Sequence, residues 1–264
     1  MQNLKLSIIQ TDIFWEDADK NLINIDKKIN DIKEETDLIV LPEMFNTGFS
    51  IKNKECAETM NGKTVNWLKS KAKEKKCVIA ASVFIKENNN FYNRLFWVKP
   101  DGNFEYYNKR HLFRLVGEQN IISEGKERKI FKIKNWKILP LICYDLRFPV
   151  WSKNRFINNE YEYDLIIYLA NWPEPRKYSW KTLLKARAIE NQAYVVGVNR
   201  VGKDGFGVEH SGDSMIVNYR GRIIKETPPF TEENFNKNLS YSELSDFRKY
   251  FTVGLDWDKY NIIQ

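Results

Sequence analysis

Short apolar segments alternate with amphipathic helical segments along this chain, and this alternation limits the folds that it can adopt. Residues 4–10 (LKLSIIQ) form the first apolar segment. Apolar residues then recur every three or four positions between Leu22 and Ile32, which predicts an amphipathic helix over about residues 19–35. Residues 37–43 (DLIVLPE) are a continuous apolar run, which is typical of a strand covered on both faces. This order predicts an α/β fold.

The same alternation continues through the rest of the chain. It predicts strands at 77–85, 136–143, 164–171 and 193–201, a hairpin at 91–107, and helices around 65–72, at 180–192 and near 241–250. The DLIVL of residues 37–41 and the DLIIY of residues 164–168 are each followed by a helix and then a strand. This similarity fits two related halves, and it fits ordinary α/β regularity equally well.

The domain organisation follows from the absence of a linker. No Gly/Ser-rich or low-complexity stretch precedes Pro228-Pro229, so we expect a single domain over residues 1–264. The C-terminal tail covers about residues 228–264, and its last segment (FTVGLDWDKYNII) is too apolar to be left in water. We therefore expect this tail to pack on the body of the protein or on a second subunit.

The bulk composition excludes several classes of protein. An apolar fraction of 42%, with 14% aromatic residues, supports a sizeable core and excludes a disordered chain. No apolar run approaches the ~20 residues that span a bilayer, and the N-terminus lacks the pattern of a signal peptide. Three cysteines are too few for a disulfide framework. These features predict a soluble, cytoplasmic protein with no membrane partner.

The net charge of +7 is compatible with nucleic-acid binding. However, basic and acidic residues are interleaved, as in KAKEKK (71–76) and GKERKIFKIK (125–134), whereas a binding surface gathers cations on one face among stacking aromatics. This spacing favours a lysine-rich solvated surface, and we expect no nucleic-acid partner. A basic nucleic-acid-binding protein with an inert cysteine remains the alternative from outside the enzyme class.

Polar side chains directly follow three of the predicted strands. Glu43 follows DLIVLP, Cys143 follows KILPLI, and Asn171 follows DLIIYLA. Binding sites in open α/β sheets form at the carboxyl ends of the strands. The sequence therefore predicts a pocket where these strands end.

Cys143 has two interpretations. It is either a small core residue beside an ion pair of Asp145 and Arg147, or a nucleophile displayed at a strand end. A thiol with an ordinary pKa of ~8.5 needs help to attack at neutral pH. A carboxylate such as Glu43 can take its proton, and an ammonium such as Lys109 can stabilise the resulting anion. Each of these residue types is more often structural when taken alone, so the hypothesis requires that they meet in one cavity.

A histidine base and a metal site are weaker alternatives. The chain has two histidines, His111 and His210, and a histidine base for Cys143 would leave Glu43 unexplained. We expect His111 to make a satisfied local hydrogen bond instead. The cysteines lack the close spacing to Cys or His partners that zinc sites use, so no metal site is expected.

Three segments of the chain resemble the signature segments of the nitrilase superfamily, the carbon–nitrogen hydrolases with a Glu-Lys-Cys triad. The resemblance runs in order from Leu4 to about Gly221 and includes LPEMFNTGF (41–49), YNKRHLF (107–113) and LICYDLRFP (141–149). It implies a nitrilase-like αββα four-layer sandwich, with two mixed sheets covered by helices, that assembles as a homodimer.

The segments KRHLFR, Gly117-Glu118 and LPLICYDLRFPVWSKN are similar to the omega-amidase branch of this superfamily. Those enzymes hydrolyse the side-chain amide of 2-oxoglutaramate or 2-oxosuccinamate to ammonia and the 2-oxo dicarboxylic acid. The resemblance implies that Cys143 is the nucleophile and forms a thioester, with Glu43 as its general base. It also implies no metal and no organic cofactor.

The same resemblance implies roles for three further groups. Lys109 and the backbone N–H of Tyr144 would stabilise the oxyanion, since such donors typically contribute ~10²–10³ in rate. Glu118 occupies the position of a second glutamate that assists proton transfer. A solvated loop acid is the alternative interpretation of Glu118.

Four side chains are predicted to line the pocket. Phe45 follows the glutamate, Asn171 and Trp172 lie at a strand end, and Arg147 follows the cysteine. For Arg147, however, an ion pair with Asp145 is favoured over a substrate contact.

The substrate itself is not determined by the sequence. A 2-oxo acid needs a cation or several donors for its carboxylate, and Arg147, Arg176 and Arg187 are all candidates. The alternative within the enzyme class is another carbon–nitrogen hydrolase that acts on a nitrile, an N-carbamoyl compound or a different small amide, because these enzymes differ in pocket shape.

Overall fold

A computed structural model describes residues 2–262 of the chain. Four of the five helices within this range overlap the predicted ones, α3 was not predicted, and two helices are capped by the side chain that precedes them. Asp17 accepts a hydrogen bond from the backbone N–H of Lys20, and Ser240 accepts one from that of Glu243. The helices are α1 (Ala18–Asn30), α2 (Lys63–Lys75), α3 (Pro149–Ser152), α4 (Lys177–Asn191) and α5 (Tyr241–Tyr250).

The first sheet has six strands in the order β16-β1-β2-β3-β4-β5. The three central neighbours β1, β2 and β3 are parallel, and the pairs on either side of them are antiparallel. The strands are β1 (Leu4–Gln10), β2 (Leu38–Val40), β3 (Val78–Glu87), β4 (Asn90–Val98), β5 (Phe104–Asn108) and β16 (Glu233–Leu239).

The second sheet also has six strands, in the order β15-β14-β11-β10-β7-β6. Here β7, β10 and β11 are parallel, and the outer pairs are again antiparallel. Its strands are β6 (Phe131–Ile133), β7 (Trp136–Ile142), β10 (Leu165–Ala170), β11 (Tyr194–Asn199), β14 (Met215–Val217) and β15 (Ile223–Glu226). Two short antiparallel pairs lie outside both sheets: β8 (Phe156–Ile157) with β9 (Glu160–Tyr161), and β12 (Val201–Lys203) with β13 (Glu209–Ser211).

The two sheets pack face to face between layers of helices. Along β2, Leu38 and Val40 point into the core between the sheets, whereas Ile39 points outward to the apolar faces of α1 and α2. This alternation is the period of two that a strand imposes on its side chains. On the other side α4 packs against β11. The resulting order of helices, sheet, sheet and helices is the predicted αββα sandwich.

The two halves repeat one structural detail. Asp37 lies at the start of β2, where its backbone N–H donates to the carbonyl of Lys5 at 2.8 Å and its carboxylate accepts from the backbone N–H of Lys5 at 2.9 Å. Asp164 makes the equivalent pair of bonds to Lys137 before β10, at 2.8 and 3.0 Å. The DLIVL and DLIIY segments are therefore structurally equivalent strands, one in each sheet.

Several elements were not foreseen from the sequence. The strand β16 lies within the predicted C-terminal tail and pairs with β1 along its whole length, although its segment ENFNKNL is polar. Only Phe235 and Leu239 of β16 are buried, so the segment lacks the apolar run or alternation by which a strand is identified from sequence. The predicted first helix is too long at its C-terminal end, since α1 ends at Asn30.

The last described part of the tail lies against the body of the protein. Lys153 lies 3.6 Å from the ring centroid of Trp257, and the hydroxyl of Tyr260 donates to the backbone carbonyl of Val150 at 3.1 Å. Residues 263–264 of the predicted tail lie outside the described residues. None of the helices within residues 2–262 combines the length and apolarity needed to cross a bilayer.

The close approach of α4 to β11 depends on Gly197. A Cβ at this position would lie 2.5 Å from Cδ1 of Leu184 and 2.6 Å from the ring of Trp180. We therefore predict that Gly197→Ala lowers the free energy of unfolding by about 1–3 kcal/mol, as is typical of overpacked cores. Urea denaturation followed by circular dichroism measures this change. An unaltered midpoint would contradict the packing described for α4.

Candidate active site

The ends of four strands open into one cavity of about 530 Å³. Glu43 follows β2, Lys109 follows β5, Cys143 follows β7 and Asn171 follows β10, and all four line this cavity. Two of these strands belong to each sheet. The site therefore forms between the sheets, and it brings together the four residues that the sequence singled out at strand ends and after the hairpin.

Sharp turns expose the side chains that follow β2 and β7. Met44 and Cys143 both have a left-handed backbone conformation, with φ of +44° and +43°. This conformation costs of order 1–3 kcal/mol for a residue with a Cβ. Hydrogen bonds support both turns: the backbone N–H of Met44 donates to Ser82 Oγ at 2.7 Å, and that of Ile142 donates to Asp145 at 3.0 Å.

The buried carboxylate of Glu43 accepts hydrogen bonds from three donors. Its Oε1 accepts from Nζ of Lys109 at 3.0 Å and from Nδ2 of Asn93 at 2.7 Å. Its Oε2 accepts from the backbone N–H of Asn171 at 2.8 Å. Two carboxylate oxygens offer about four acceptor positions, so Oε2 retains one of them. The thiol of Cys143 is hydrogen-bonded to Glu43 and is the donor for this remaining position.

The ammonium of Lys109 lies between two glutamates. Its Nζ donates to Glu43 and lies 3.1 Å from both carboxylate oxygens of Glu118. All three side chains are buried. Glu118 is held in turn by the backbone N–H of Phe113 at 2.6 Å. Because the three acceptors match the three N–H groups of an ammonium, Lys109 has no unused donor in this arrangement.

Burial and these charges set the protonation of the site. Burial raises the pKa of the Cys143 thiol well above its usual value, the charge of Glu43 raises it further, and Lys109 opposes the rise. Burial on its own would lower the pKa of Lys109, but the charges of Glu118 and Glu43 raise it overall. Cys143 is therefore a neutral thiol and Lys109 a cation at neutral pH.

Burial also raises the pKa of Glu118, although Lys109 acts in the opposite direction. Its solvent-free position excludes the alternative interpretation of Glu118 as a solvated loop acid.

Asp145 does not pair with Arg147, so the predicted ion pair is wrong. The buried carboxylate of Asp145 accepts from Tyr107 Oη at 2.8 Å and from the backbone N–H groups of Ile142 and His111, both at 3.0 Å. These donors come from both sheets and satisfy the carboxylate internally. Arg147 instead lines the cavity.

Phe45 also lies elsewhere than predicted. It is buried between the first sheet and α2, with its ring 5.9 Å from that of Trp67, and it is not among the described residues that line the cavity. The left-handed turn at Met44 directs Phe45 outward. The aromatic wall beside Lys109 is formed by Phe49, whose ring centroid lies 5.1 Å from Nζ.

Asn171 and Trp172 line the cavity, as predicted from the sequence. The side-chain amide of Asn171 donates to the backbone carbonyl of Glu43, and the backbone carbonyl of Asn171 accepts from Sγ of Cys143 at 3.8 Å. The indole N–H of Trp172 donates to the carbonyl of Arg176 at 2.8 Å. Both residues therefore connect the second sheet to the site.

Only two of the three arginines considered for the substrate carboxylate lie in the cavity. Arg147 and Arg176 line the cavity, whereas Arg187 is buried elsewhere and donates to Glu190 and to the carbonyl of Leu146. Arg187 is therefore not available to a bound molecule. Sequence reasoning did not foresee most of the cavity wall, which also includes Ile51, Lys52, Phe113, Leu115, Val116, Pro173, Asp204, Phe206 and Val208.

Both histidines are hydrogen-bonded, but only His210 bonds locally, to the backbone carbonyl of Val208 at 3.0 Å; the partner of His111 is distant in the chain, so the predicted local hydrogen bond of His111 is wrong. Nδ1 of His111 lies 2.8 Å from Asp145, and its ring stacks on Phe148 at 3.7 Å. His210 lines the cavity, but burial lowers its pKa to about 4, so it is neutral at pH 7. Within residues 2–262, neither histidine is hydrogen-bonded to Cys143 and no cluster of side chains has the makeup of a metal site.

Comparison with known proteins gives the family. The family model for carbon-nitrogen hydrolases matches residues 5–248. The chain belongs to the carbon–nitrogen hydrolase family. It is 41% identical to the omega-amidase YafV of Escherichia coli K12, over 99% of this chain and 100% of that protein. It is also 33% identical to the 2-oxoglutaramate amidase of Bacillus subtilis, over 84% of this chain and 85% of that protein.

A crystal structure of a family member from Xanthomonas campestris, with an arsenic adduct in its active site, matches this fold with a TM-score of 0.97. The two chains are 38% identical over 99% of this chain and 100% of the other. Yeast Nit3 has the same fold, with a TM-score of 0.80 at 24% identity, covering 95% of this chain and 94% of that one. The family and the sandwich fold predicted from the signature segments are thus confirmed.

The position of Glu43 leads to a prediction about the thiol of this hydrolase. A negative neighbour raises a thiol pKa, so removing the charge in Glu43→Gln should lower the pKa of Cys143. The thiolate absorbance near 240 nm should then appear at lower pH than in the natural protein. Cys143→Ala identifies which part of the titration belongs to this cysteine. An unchanged or higher titration midpoint in Glu43→Gln would contradict the electrostatic description.

Proposed function

We propose that this carbon–nitrogen hydrolase is an omega-amidase that cleaves the side-chain amide of 2-oxoglutaramate or 2-oxosuccinamate. The products would be ammonia and the 2-oxo dicarboxylic acid. The observation that carries the proposal is the meeting of Glu43, Lys109 and Cys143 in one cavity that also holds two arginines. The names of the relatives from E. coli and B. subtilis support the choice of substrate.

In the proposed first step, Sγ of Cys143 attacks the amide carbonyl while its proton moves to Oε2 of Glu43. The two events are coupled, because the raised pKa of Cys143 means that a free thiolate is scarce before substrate binds. General-base assistance of this kind contributes roughly 10²–10⁴ in rate.

The carbonyl oxygen becomes an oxyanion in this step. We assign its stabilisation to the backbone N–H of Tyr144 and the ammonium of Lys109. Because the N–H groups of Lys109 already face Glu43 and Glu118, Lys109 acts on the oxyanion through its charge or by exchanging one bond to Glu118. Glu118 thereby acts as a positioning residue for Lys109.

In the second step the carbon–nitrogen bond breaks. Glu43 returns its proton to the departing nitrogen, which leaves as ammonia, and the acyl group stays on Cys143 as a thioester. Water then enters and loses a proton to Glu43 as its oxygen attacks the thioester carbon. The carbon–sulfur bond breaks, and the proton passes from Glu43 to Sγ, which restores the thiol and releases the acid.

Arg147 is the proposed contact for the carboxylate of the substrate. It lies four residues after Cys143 and lines the cavity, and its guanidinium lies 4.8 Å from the ring centroid of Trp172. A planar guanidinium matches a carboxylate with two parallel hydrogen bonds. Asn171 and Trp172 complete this wall of the proposed substrate site.

The organisation of the protein also belongs to the proposal. We propose a single domain, because β16 from the C-terminal tail completes the first sheet. We propose a homodimer, because α4 and α5 carry exposed apolar residues such as Ile189 and Tyr250 that a second subunit would cover. A cytoplasmic location without nucleic-acid partners completes the proposal.

An ammonia-release panel tests the proposed reaction. We expect the natural protein to release ammonia from 2-oxoglutaramate and 2-oxosuccinamate in preference to glutamine, asparagine, a simple nitrile and an N-carbamoyl amino acid. Cys143→Ala should lose this activity, because no other group can form the thioester. Turnover of the nitrile or carbamoyl compound alone would assign another substrate within the family. Undiminished turnover by Cys143→Ala would overturn the mechanism.

The second glutamate gives a separate prediction. Glu118→Gln keeps the side-chain shape but removes one charge that holds Lys109, so kcat should fall by about 10²-fold. KM should change much less, because Glu118 does not line the cavity wall. Glu124→Gln, which removes a more exposed glutamate nearby in the sequence, is the matched control. A loss confined to KM would contradict the positioning role of Glu118.

A further inference from the structure

Two arginines of the cavity wall lack the partners that arginines normally have in a folded protein. Arg147 and Arg176 are half-buried, yet within residues 2–262 neither guanidinium forms a hydrogen bond or an ion pair. Guanidinium groups that lose part of their hydration normally gain carboxylate or carbonyl acceptors in exchange. Their N–H groups are therefore available to a molecule in the cavity.

The buried arginines elsewhere in the protein make the contrast clear. Each of them forms an ion pair with a carboxylate at 2.5–2.9 Å: Arg94 with Glu87, Arg128 with Glu162, Arg187 with Glu190, Arg200 with Asp12, and Arg248 with Asp164. Half-buried Arg155, which stacks on Tyr260 at 5.1 Å outside the cavity, is the exception, because no acceptor within residues 2–262 pairs with its guanidinium either. Arg147 and Arg176 differ from Arg155 in that they line the cavity, where a bound molecule can supply the acceptor.

Aromatic rings hold both cavity arginines in place. The guanidinium of Arg147 lies 4.8 Å from the ring centroid of Trp172, and that of Arg176 lies 5.2 Å from that of Phe113. The indole N–H of Trp172 also donates to the carbonyl of Arg176, which anchors the short 3₁₀ helix Glu174–Arg176. Stacking orients the guanidinium plane but leaves its N–H edge unused.

We infer that Arg176 is a specificity-determining residue that binds, together with Arg147, the carboxylate end of an anionic amide. This inference rests on the proposed function and assigns its substrate recognition to two cations on one wall. The reacting end of the cavity is lined by Glu43 and Lys109, and Glu118 pairs with Lys109 without lining the cavity, so a substrate carboxylate placed there would meet the Glu43 carboxylate and a lysine already engaged by two glutamates. An anionic amide therefore has one favoured orientation, with its amide at Cys143 and its carboxylate at the arginines.

Kinetics of matched variants test the role of Arg176. For Arg176→Gln we expect KM for 2-oxoglutaramate and 2-oxosuccinamate to rise about 10- to 100-fold, which is typical of losing a hydrogen bond between charged groups. Turnover of the neutral amide butanamide should change less than about twofold, since it has no carboxylate to lose a contact. Arg176→Lys should recover part of the loss, because it keeps the charge but not the planar fork.

Arg220→Gln is the matched control for charge. Arg220 is exposed, stacks on Phe247 at 4.4 Å and lies outside the cavity, so its removal changes the net charge equally. If Arg176 contacts the substrate directly, Arg220→Gln should leave KM for the oxo-amides nearly unchanged. The rise in KM caused by Arg176→Gln should then persist at high salt. An equal loss in both variants, or one abolished by salt, would overturn the inference, because long-range attraction between exposed charges is screened.

A binding measurement separates this inference from the proposed reaction. Calorimetry with 2-oxoglutarate compares Cys143→Ala with the double variant Cys143→Ala/Arg176→Gln, and neither needs to turn over substrate. We expect affinity to be at least tenfold weaker in the double variant. Equal affinities, or no binding to Cys143→Ala, would overturn the role of Arg176. Failure of the natural protein to cleave the oxo-amides would instead reject the proposed function. The calorimetric comparison would then still decide whether Arg176 binds the carboxylate.

Discussion

The buried ammonium of Lys109 between Glu43 and Glu118 is the interaction on which the site depends. Removing one partner from a buried ion pair typically costs about 3–5 kcal/mol, because an uncompensated charge then remains in the interior. Burial and, after it, the charge of Glu43 raise the pKa of Cys143 and keep the thiol protonated, while Lys109 opposes them. The same cluster that holds the loops together therefore sets the reactivity of the nucleophile.

The sandwich architecture makes this cluster possible. Glu43 and Lys109 follow strands of the first sheet, whereas Cys143 and Asn171 follow strands of the second. Hydrogen bonds from Asn171 to Glu43 then join the two halves at the cavity. Asp145 joins them a second time by accepting from residues of both sheets. Packing of two equivalent halves thus produces a site that neither sheet could form alone.

The cavity contains a carboxylate beside the nucleophile and two arginines without partners among the described residues. Glu43 lies beside the reacting sulfur, while Arg147 and Arg176 line the cavity with unused N–H groups. These charges favour one orientation of an anionic amide, with its carboxylate at the arginines and its amide at Cys143. The exclusion of Arg187, which is bonded to Glu190 and Leu146, shows that position in the fold and not residue type decides which cations are available.

The sequence by itself determined the order of most helices and strands and the polar residues at the strand ends, because both depend on local periodicity and on where an apolar run stops. Polar edge strands such as β16 escaped detection for the same reason. Only the tertiary structure decided that Phe45 faces α2, that Asp145 bonds to Tyr107 and His111, and that Arg176 lines the cavity. These outcomes depend on left-handed turns and on contacts between segments far apart in the chain, which no local pattern encodes.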